Sequence, residues 1–200
     1  MAMIRAVILA AGASSRMGSP KALADLGGVT LLDLHLSRLR AAVDEVVVVL
    51  GCHREAIEAS CDLGDAARVV NESWREGMAS SLRCGLRAAR AEGGCLVSPV
   101  DCPPPLPETL KALLDGRRPG IGALIPTFEG RGGHPVWLSM ATIDALLTPA
   151  DPPRLDHALA ALGEGVATVP TSDRTILENI NNQEDLERLR ARLGSLGQKG

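Results

Sequence analysis

Arg16 and Lys21 close a stretch, VILAAGASSRMGSPKAL from Val7 to Leu23, that runs from an apolar segment into Ala, Gly and Ser before presenting its two cations. Small side chains let the backbone approach a ligand closely, so the N–H groups of such a loop can point at phosphate oxygens while the cations supply counter-charge. Two glycine fingerprints are excluded. The Walker pattern needs adjacent Gly and Lys followed by Ser or Thr, whereas Gly18 and Lys21 are separated and Ala22 follows. Gly12 also lacks further glycines at the offsets of the dinucleotide motif. From residue types alone, a surface turn with two solvated cations accounts for the loop as well as a phosphate cradle does.

Other residues able to do chemistry are spread along the chain. Asp101 follows an apolar run and precedes Cys102 and three prolines, Pro103–Pro105, which fix the exit of the chain. A carboxylate there faces the crevice at a strand's carboxyl end, or serves as a cap. Gly77, Ser80 and Ser81, in EGMASSLRCGL, sit at a loop feeding a helix N-terminus, suited to a base, a ribose or an anion, although an ordinary capped helix reads the same way. Arg131, Gly132, Gly133 and His134 form a flexible basic segment before Pro135 that could close over a second substrate. A lone His in such a loop is more often exposed than catalytic. Thiol or serine hydrolysis by Cys102 or Ser81 with His134 and Asp101 is disfavoured. There is no nucleophile elbow, and the carboxylate beside Cys102 would raise its pKa.

The elements that must position these groups alternate. Ala6–Leu9, Val46–Leu50, Arg68–Val70, Cys95–Val97 and Ala123–Ile125 read as strands, several without polar alternation, which implies burial on both faces. Thr30 can cap a helix through about Ala42, with Leu32, Leu36 and Leu39 on one face, and Ser80 or Ser81 can start another through Ala91. Asn182, followed three residues later by Asp185, opens a last helix carrying Leu186, Leu189 and Leu193. The βαβα order predicts an α/β fold, three layers built on a doubly wound, mostly parallel sheet, with a ligand crevice beyond the strands' carboxyl ends. The expected organisation is one domain over 1–193 and a frayed tail over 194–200, with the Pro-rich piece at Pro149–Asp156 as a surface connection.

Composition narrows the partners. The 200 residues are 46% hydrophobic and 22% charged, a globular mix, and a net charge of −3 with only three aromatic residues argues against a nucleic-acid surface. A small-molecule partner is expected. No apolar run approaches the roughly 20 residues of a membrane span, and the first residues lack a signal-peptide layout, so the expected location is the cytoplasm. Cys52, Cys61, Cys84, Cys95 and Cys102 form no CxxC pair and read as reduced thiols.

The loop LAAGASSRMGSPK resembles the signature of the MobA-like nucleotidyltransferases, and most closely their molybdenum cofactor cytidylyltransferase branch. The resemblance continues through VVNESWREGMASSLRCGL, VSPVDCP, GRGGHPVWL and NINNQEDLERL, almost the whole chain. It implies a Rossmann-like fold and Mg²⁺-dependent transfer of a nucleoside monophosphate, CMP favoured, from a triphosphate to a small phosphorylated acceptor, molybdopterin, with release of pyrophosphate. By this resemblance Arg16, Lys21 and Asp101 are catalytic, Leu9, Ala10, Ala11, Gly12, Lys21, Gly77, Ser80 and Ser81 bind the nucleotide, and Arg131, Gly133 and His134 face the acceptor. Asp101 and Asn181 hold Mg²⁺, and a molybdoenzyme or its maturation chaperone is a possible partner. The chain departs from the cytidylyl pattern at two places. Asn179–Gln183 replaces an Asp-x-Asp-Thr-Pro ending, with Asn as in the guanylyl relatives, and ADPPRLDHALA lacks a Gly-Asp-x-Gly-Ala-Arg segment. Guanylyl transfer, a sugar or alditol phosphate acceptor, and a non-catalytic nucleotide- or cofactor-binding carrier are the alternatives.

Overall fold

The computed structural model describes residues 2–15, 17–148 and 154–197. Arg16 and most of the Pro-rich connection therefore lie outside the described residues. In chain order the strands are β1 (Arg5–Leu9), β2 (Glu45–Leu50), β3 (Ala67–Val70), β4 (Cys95–Pro99), β5 (Ala123–Phe128), β6 (Arg131–Gly132), β7 (Val136–Leu138) and β8 (Val166–Pro170). The helices are α1 (Leu31–Arg40), α2 (Arg54–Ser60), α3 (Met78–Ala88), α4 (Pro107–Asp115), α5 (Met140–Leu147), α6 (Leu155–Leu162) and α7 (Gln183–Gly197).

The sheet runs β3-β2-β1-β4-β7-β5-β6, with β8 alongside β5. Strands β3, β2, β1 and β4 are mutually parallel, as continuous apolar runs predict, and β8 is parallel to β5. The departure is β7, three residues inserted antiparallel to both β4 and β5. Val136–Leu138 follows a Gly-Gly-His-Pro sequence and is too short for its period to be read.

Strand alternation builds the layers. On β1, Ala6 and Ile8 join a cluster with Leu32, Leu36 and Leu39 of α1, Leu110 and Leu113 of α4 and Leu186 and Leu189 of α7. Val7 and Leu9 join Leu82 and Leu86 of α3 and Ile143 and Leu146 of α5 on the opposite face. Residues two apart on a strand share a face, so one apolar strand supplies both cores.

Of the three helix starts expected from the sequence, two follow side-chain capping and one does not. Thr30 caps α1 in a reciprocal box with Asp33, and Asp185 N–H donates to Asn182 Oδ1 (2.9 Å) at the start of α7. Helix α7 continues to Gly197, into the stretch expected as a tail. The exception is α3, which starts at Met78 behind Gly77 and ends at Ala88. Gly77 has φ 100°, a left-handed conformation that costs an L side chain about 1 kcal/mol or more, so backbone freedom sets this start and not a Ser side chain.

His35 on α1 is fully buried beneath the Asp101 turn. Its Nε2 lies 2.8 Å from the Cys102 carbonyl and its Nδ1 3.3 Å from Ser98 Oγ, so Nε2–H donates to the carbonyl and Nδ1 accepts from the hydroxyl. Burial lowers its pKa from 6.5 to about 4. Between those values the unfolded chain takes up a proton that native His35 refuses. Its contribution is therefore complete above about pH 6.5 and is lost as pH falls toward about 4. Chemical denaturation at pH 7 and pH 5 should show a loss of about 2 kcal/mol at the lower pH. His35→Gln should flatten that slope, and an unchanged slope would remove His35 as its source.

Candidate active site

In a doubly wound sheet the crevice forms where the strand order reverses, because loops leaving neighbouring strands there diverge to opposite faces. Here that point lies between β1 and β4, paired in register from Arg5↔Cys95 to Leu9↔Pro99. The Gly12 loop leaves β1 and the Asp101 turn leaves β4. Val100 N–H donates to Leu9 O (3.1 Å), fastening the two exits together.

The loop is held from three sides. Ala10 N–H donates to Val49 O (2.9 Å), Cys52 N–H to Ala11 O (3.1 Å), and His53 Nε2 lies 2.9 Å from Ala13 O. Ser14, at φ 51°, turns its hydroxyl back to accept from Lys21 N–H (3.0 Å). Among the described residues the N–H groups of Gly12, Ala13 and Ser15 have no acceptor recorded within the chain. They remain free to donate to an anion. Gly51 permits this packing: a Cβ there would stand 2.7 Å from Ala11 O and 3.0 Å from Trp74 Cβ. Gly51→Ala should displace the loop, costing about 1–3 kcal/mol of stability and raising KM for the nucleotide. Thermal melts and initial-rate kinetics check this, and a wild-type melt with wild-type KM would contradict it.

Lys21 is buried, and its Nζ reaches Asp101 Oδ2 at 3.1 Å and Asn181 Oδ1 at 3.2 Å. Asn181 arrives there because Ile180 N–H donates to Asp101 O (2.7 Å), tying the last motif to the β4 turn. Asn181 N–H in turn donates to Asp185 Oδ2 (2.8 Å), and that backbone bond leads in holding the Asp185 carboxyl below its usual range. The three asparagines divide their work. Asn179 Oδ1 accepts from Cys102 Sγ (3.2 Å), Asn181 meets Lys21, and Asn182 caps α7. Burial, with the Asp101 charge second, pushes the Cys102 thiol up to about 12, which disarms it as a nucleophile.

Two cavities adjoin at this point. The first, of about 270 Å³, is lined by Leu9, Ala10, Ala11, Gly12, Lys21, Gly77, Ser81 and Asp101, all singled out from the sequence, and also by His53 and Trp74. The second, of about 830 Å³, carries Arg131, Gly133 and His134 and shares Leu9, Gly77, Met78 and Pro99 with the first. Its wall is largely apolar, with Leu82, Ile125, Val136 and Leu159. Among the described residues the buried His134 Nδ1 has no hydrogen-bond partner, and burial holds the ring's pKa down, contrary to the exposed ring its loop suggests.

Ser80 does not line the first cavity. Asn71 Nδ2 donates to both Ser80 Oγ and Ser81 Oγ (2.9 Å each), and Ser80 Oγ bonds to the carbonyls of Gly77 (2.8 Å) and Ser73 (3.0 Å). The Ser80 hydroxyl braces the Gly77 turn, while Ser81 lines the cavity. Asn71, His35 and His53 support the site and were not found from the sequence. The bonds by which they support it, Asn71 to Ser80, His53 to Ala13 and His35 to Cys102, span 9, 40 and 67 residues.

Residues 6–171 match the family described as MobA-like NTP transferase domain. The chain is 38% identical over 155 residues, 74% of each chain, to a Paenarthrobacter nicotinovorans protein named nicotine blue oxidoreductase. It is 35% identical over 197 residues, 92% of each chain, to an Acidiphilium cryptum protein named molybdenum cofactor guanylyltransferase. A Mycobacterium tuberculosis H37Rv protein solved in complex with manganese superposes with a TM-score of 0.75 at 26% identity, covering 94% of this chain and 98% of that one. Among the described residues no helix is long and apolar enough to cross a membrane.

Proposed function

Because the chain belongs to the MobA-like NTP transferase family, we propose that it moves a nucleoside monophosphate from a nucleoside triphosphate to the terminal phosphate of a molybdopterin-type acceptor. The observation that carries this reading is one cleft at the strand-order reversal, where the Lys21 ammonium, the Asp101 carboxylate and the free N–H groups of the Gly12 loop converge. An acceptor phosphate oxygen would form the new bond to the α-phosphorus as the bond to the β-phosphate oxygen breaks, releasing pyrophosphate. The nucleophile is already an anion, so no strong base is required. The barrier lies in bringing anions together and in the charge that grows on the phosphoryl oxygens and the leaving group.

The residues take roles that follow from place. Lys21 neutralises triphosphate charge and the loop N–H groups add donors that are already oriented, while Arg16, outside the described residues, is assigned as a second cation on the sequence resemblance alone. Gly77 and Ser81 border the nucleotide side. Arg131, Gly133 and His134 border the acceptor side, where the unpartnered His134 Nδ1 offers a buried polar contact. Asp101 and Asn181 present two hard oxygens that already converge on one cation, a donor set that fits a divalent ion. The manganese complex of the mycobacterial relative supports divalent-ion use. When bound, Mg²⁺ supplies Lewis-acid neutralisation of phosphate charge.

CTP is the first nucleotide to test, since Ala11 is buried against Gly51 and narrows the base side. The Asn179–Asn182 ending and the Acidiphilium relative favour GTP instead. The apolar wall of the larger cavity favours a ring-bearing acceptor over an alditol phosphate. A molybdoenzyme or its maturation chaperone would receive the product. A second reading, reduction of an organic substrate in the same cleft, is favoured by the Paenarthrobacter relative.

Mixing the protein with CTP or GTP, Mg²⁺ and molybdopterin should release pyrophosphate stoichiometric with dinucleotide product. Binding of nucleotide without release would mark a carrier. Oxidation or reduction of an organic substrate with no pyrophosphate release would favour the oxidoreductase reading.

A further inference from the structure

The ammonium of Lys21 occupies the gap between Asp101 Oδ2 and Asn181 Oδ1, the two oxygens that fit a divalent ion. A metal bonded to both oxygens at about 2 Å would need the space in which that ammonium stands. Charge matters as well as space. Asn181 is neutral, so the single carboxylate of this pair is already balanced by Lys21. Among the described residues no three His, Cys, Asp or Glu side chains form a metal-binding group.

The backbone of Lys21 is fixed and its side chain has somewhere else to go. Its N–H is bonded to Ser14 Oγ, and the Lys21–Leu23 turn is anchored by buried Ala22. The side chain also lines the cavity that holds Gly12, Ser14 and Ser15. Rotamer changes alone could therefore carry the ammonium from the Asp101 carboxylate to an anion seated on the loop.

We propose that Lys21 is a resident stand-in cation that keeps free divalent ions off the nucleotide-free protein, so that the triphosphate, by drawing the ammonium onto its own oxygens, exposes Asp101 and Asn181 to the ion. This rests on the reading of the site given above, and it assigns Lys21 a second role, setting the order in which nucleotide and ion bind.

The test is an electron paramagnetic resonance titration of Mn²⁺ into nucleotide-free wild type, Lys21→Met and the double variant Lys21→Met/Asp101→Asn. Lys21→Met should bind Mn²⁺ more tightly than wild type by on the order of 10-fold or more, since a unit charge close to the ion is removed. The double variant should lose the gain. Equal affinities in wild type and Lys21→Met, or a gain that survives loss of Asp101, would overturn the proposal. Should Lys21→Met fail to fold, wild type decides: tight Mn²⁺ binding without nucleotide that Asp101→Asn abolishes would overturn it, and weak binding strengthened by a non-hydrolysable triphosphate supports it. None of these readouts uses turnover, so absence of pyrophosphate release would count against the proposed reaction and leave the Mn²⁺ result standing.

Discussion

Asp101→Ala is expected to lower turnover, read as pyrophosphate release at saturating triphosphate and Mg²⁺, by a factor on the order of 10³. Asp101 is the only charged member of the pair proposed to hold the ion, and its carboxylate is the anionic partner of Lys21. Losing it removes the anionic anchor of the ion proposed to neutralise the charge that builds on the phosphoryl oxygens. The fold should survive, because the structural tie at this position is the backbone carbonyl that accepts from Ile180 N–H, and among the described residues the half-buried side chain hydrogen-bonds to Lys21 alone. Asp101→Asn keeps the shape, removes the charge and should lose nearly as much. Turnover within tenfold of wild type in either variant, with an unchanged melt, would take Asp101 out of the mechanism.

Lys21→Ala is expected to cost on the order of 10² to 10³ in turnover, the usual consequence of deleting one preorganised contact to developing charge. If the ammonium acts mainly in the transition state, kcat falls more than KM rises. Lys21→Arg should not rescue, because the wider guanidinium cannot take the place of the ammonium in the gap between Asp101 and Asn181 without displacing them. Steady-state kinetics on both variants check this. A rise in KM with kcat unchanged would make Lys21 a binding residue alone.

The part of the site legible in the sequence is the part made by strand order. Val7–Leu23 shows an apolar strand, a small-residue loop and a cation, and in a parallel sheet that order puts Gly12 and Lys21 at a carboxyl edge. The Cys95 run ending in Asp101 obeys the same rule, and β1 and β4 prove to be neighbours. Thr30 and Asn182 were legible because a cap acts within three residues. Ser80 misled for a related reason: Ser is a good cap, but Gly77, in a left-handed conformation that Gly alone adopts cheaply, had taken the position. His35 could not be found, since it sits on the core face of α1 and its partner Cys102 is 67 residues away. The short antiparallel β7 was hidden as well, because three residues carry no period.

The central claim is that the Gly12 loop, Lys21 and Asp101 surround a bound triphosphate. A crystal structure of the protein with a non-hydrolysable CTP or GTP analogue and Mg²⁺ tests it most directly. Phosphate oxygens within hydrogen-bonding distance of Lys21 Nζ and of the Gly12–Ser15 N–H groups, with the ion on Asp101, are the predicted result. A nucleotide seated elsewhere, with Lys21 still bound to Asp101 and Asn181, would contradict it.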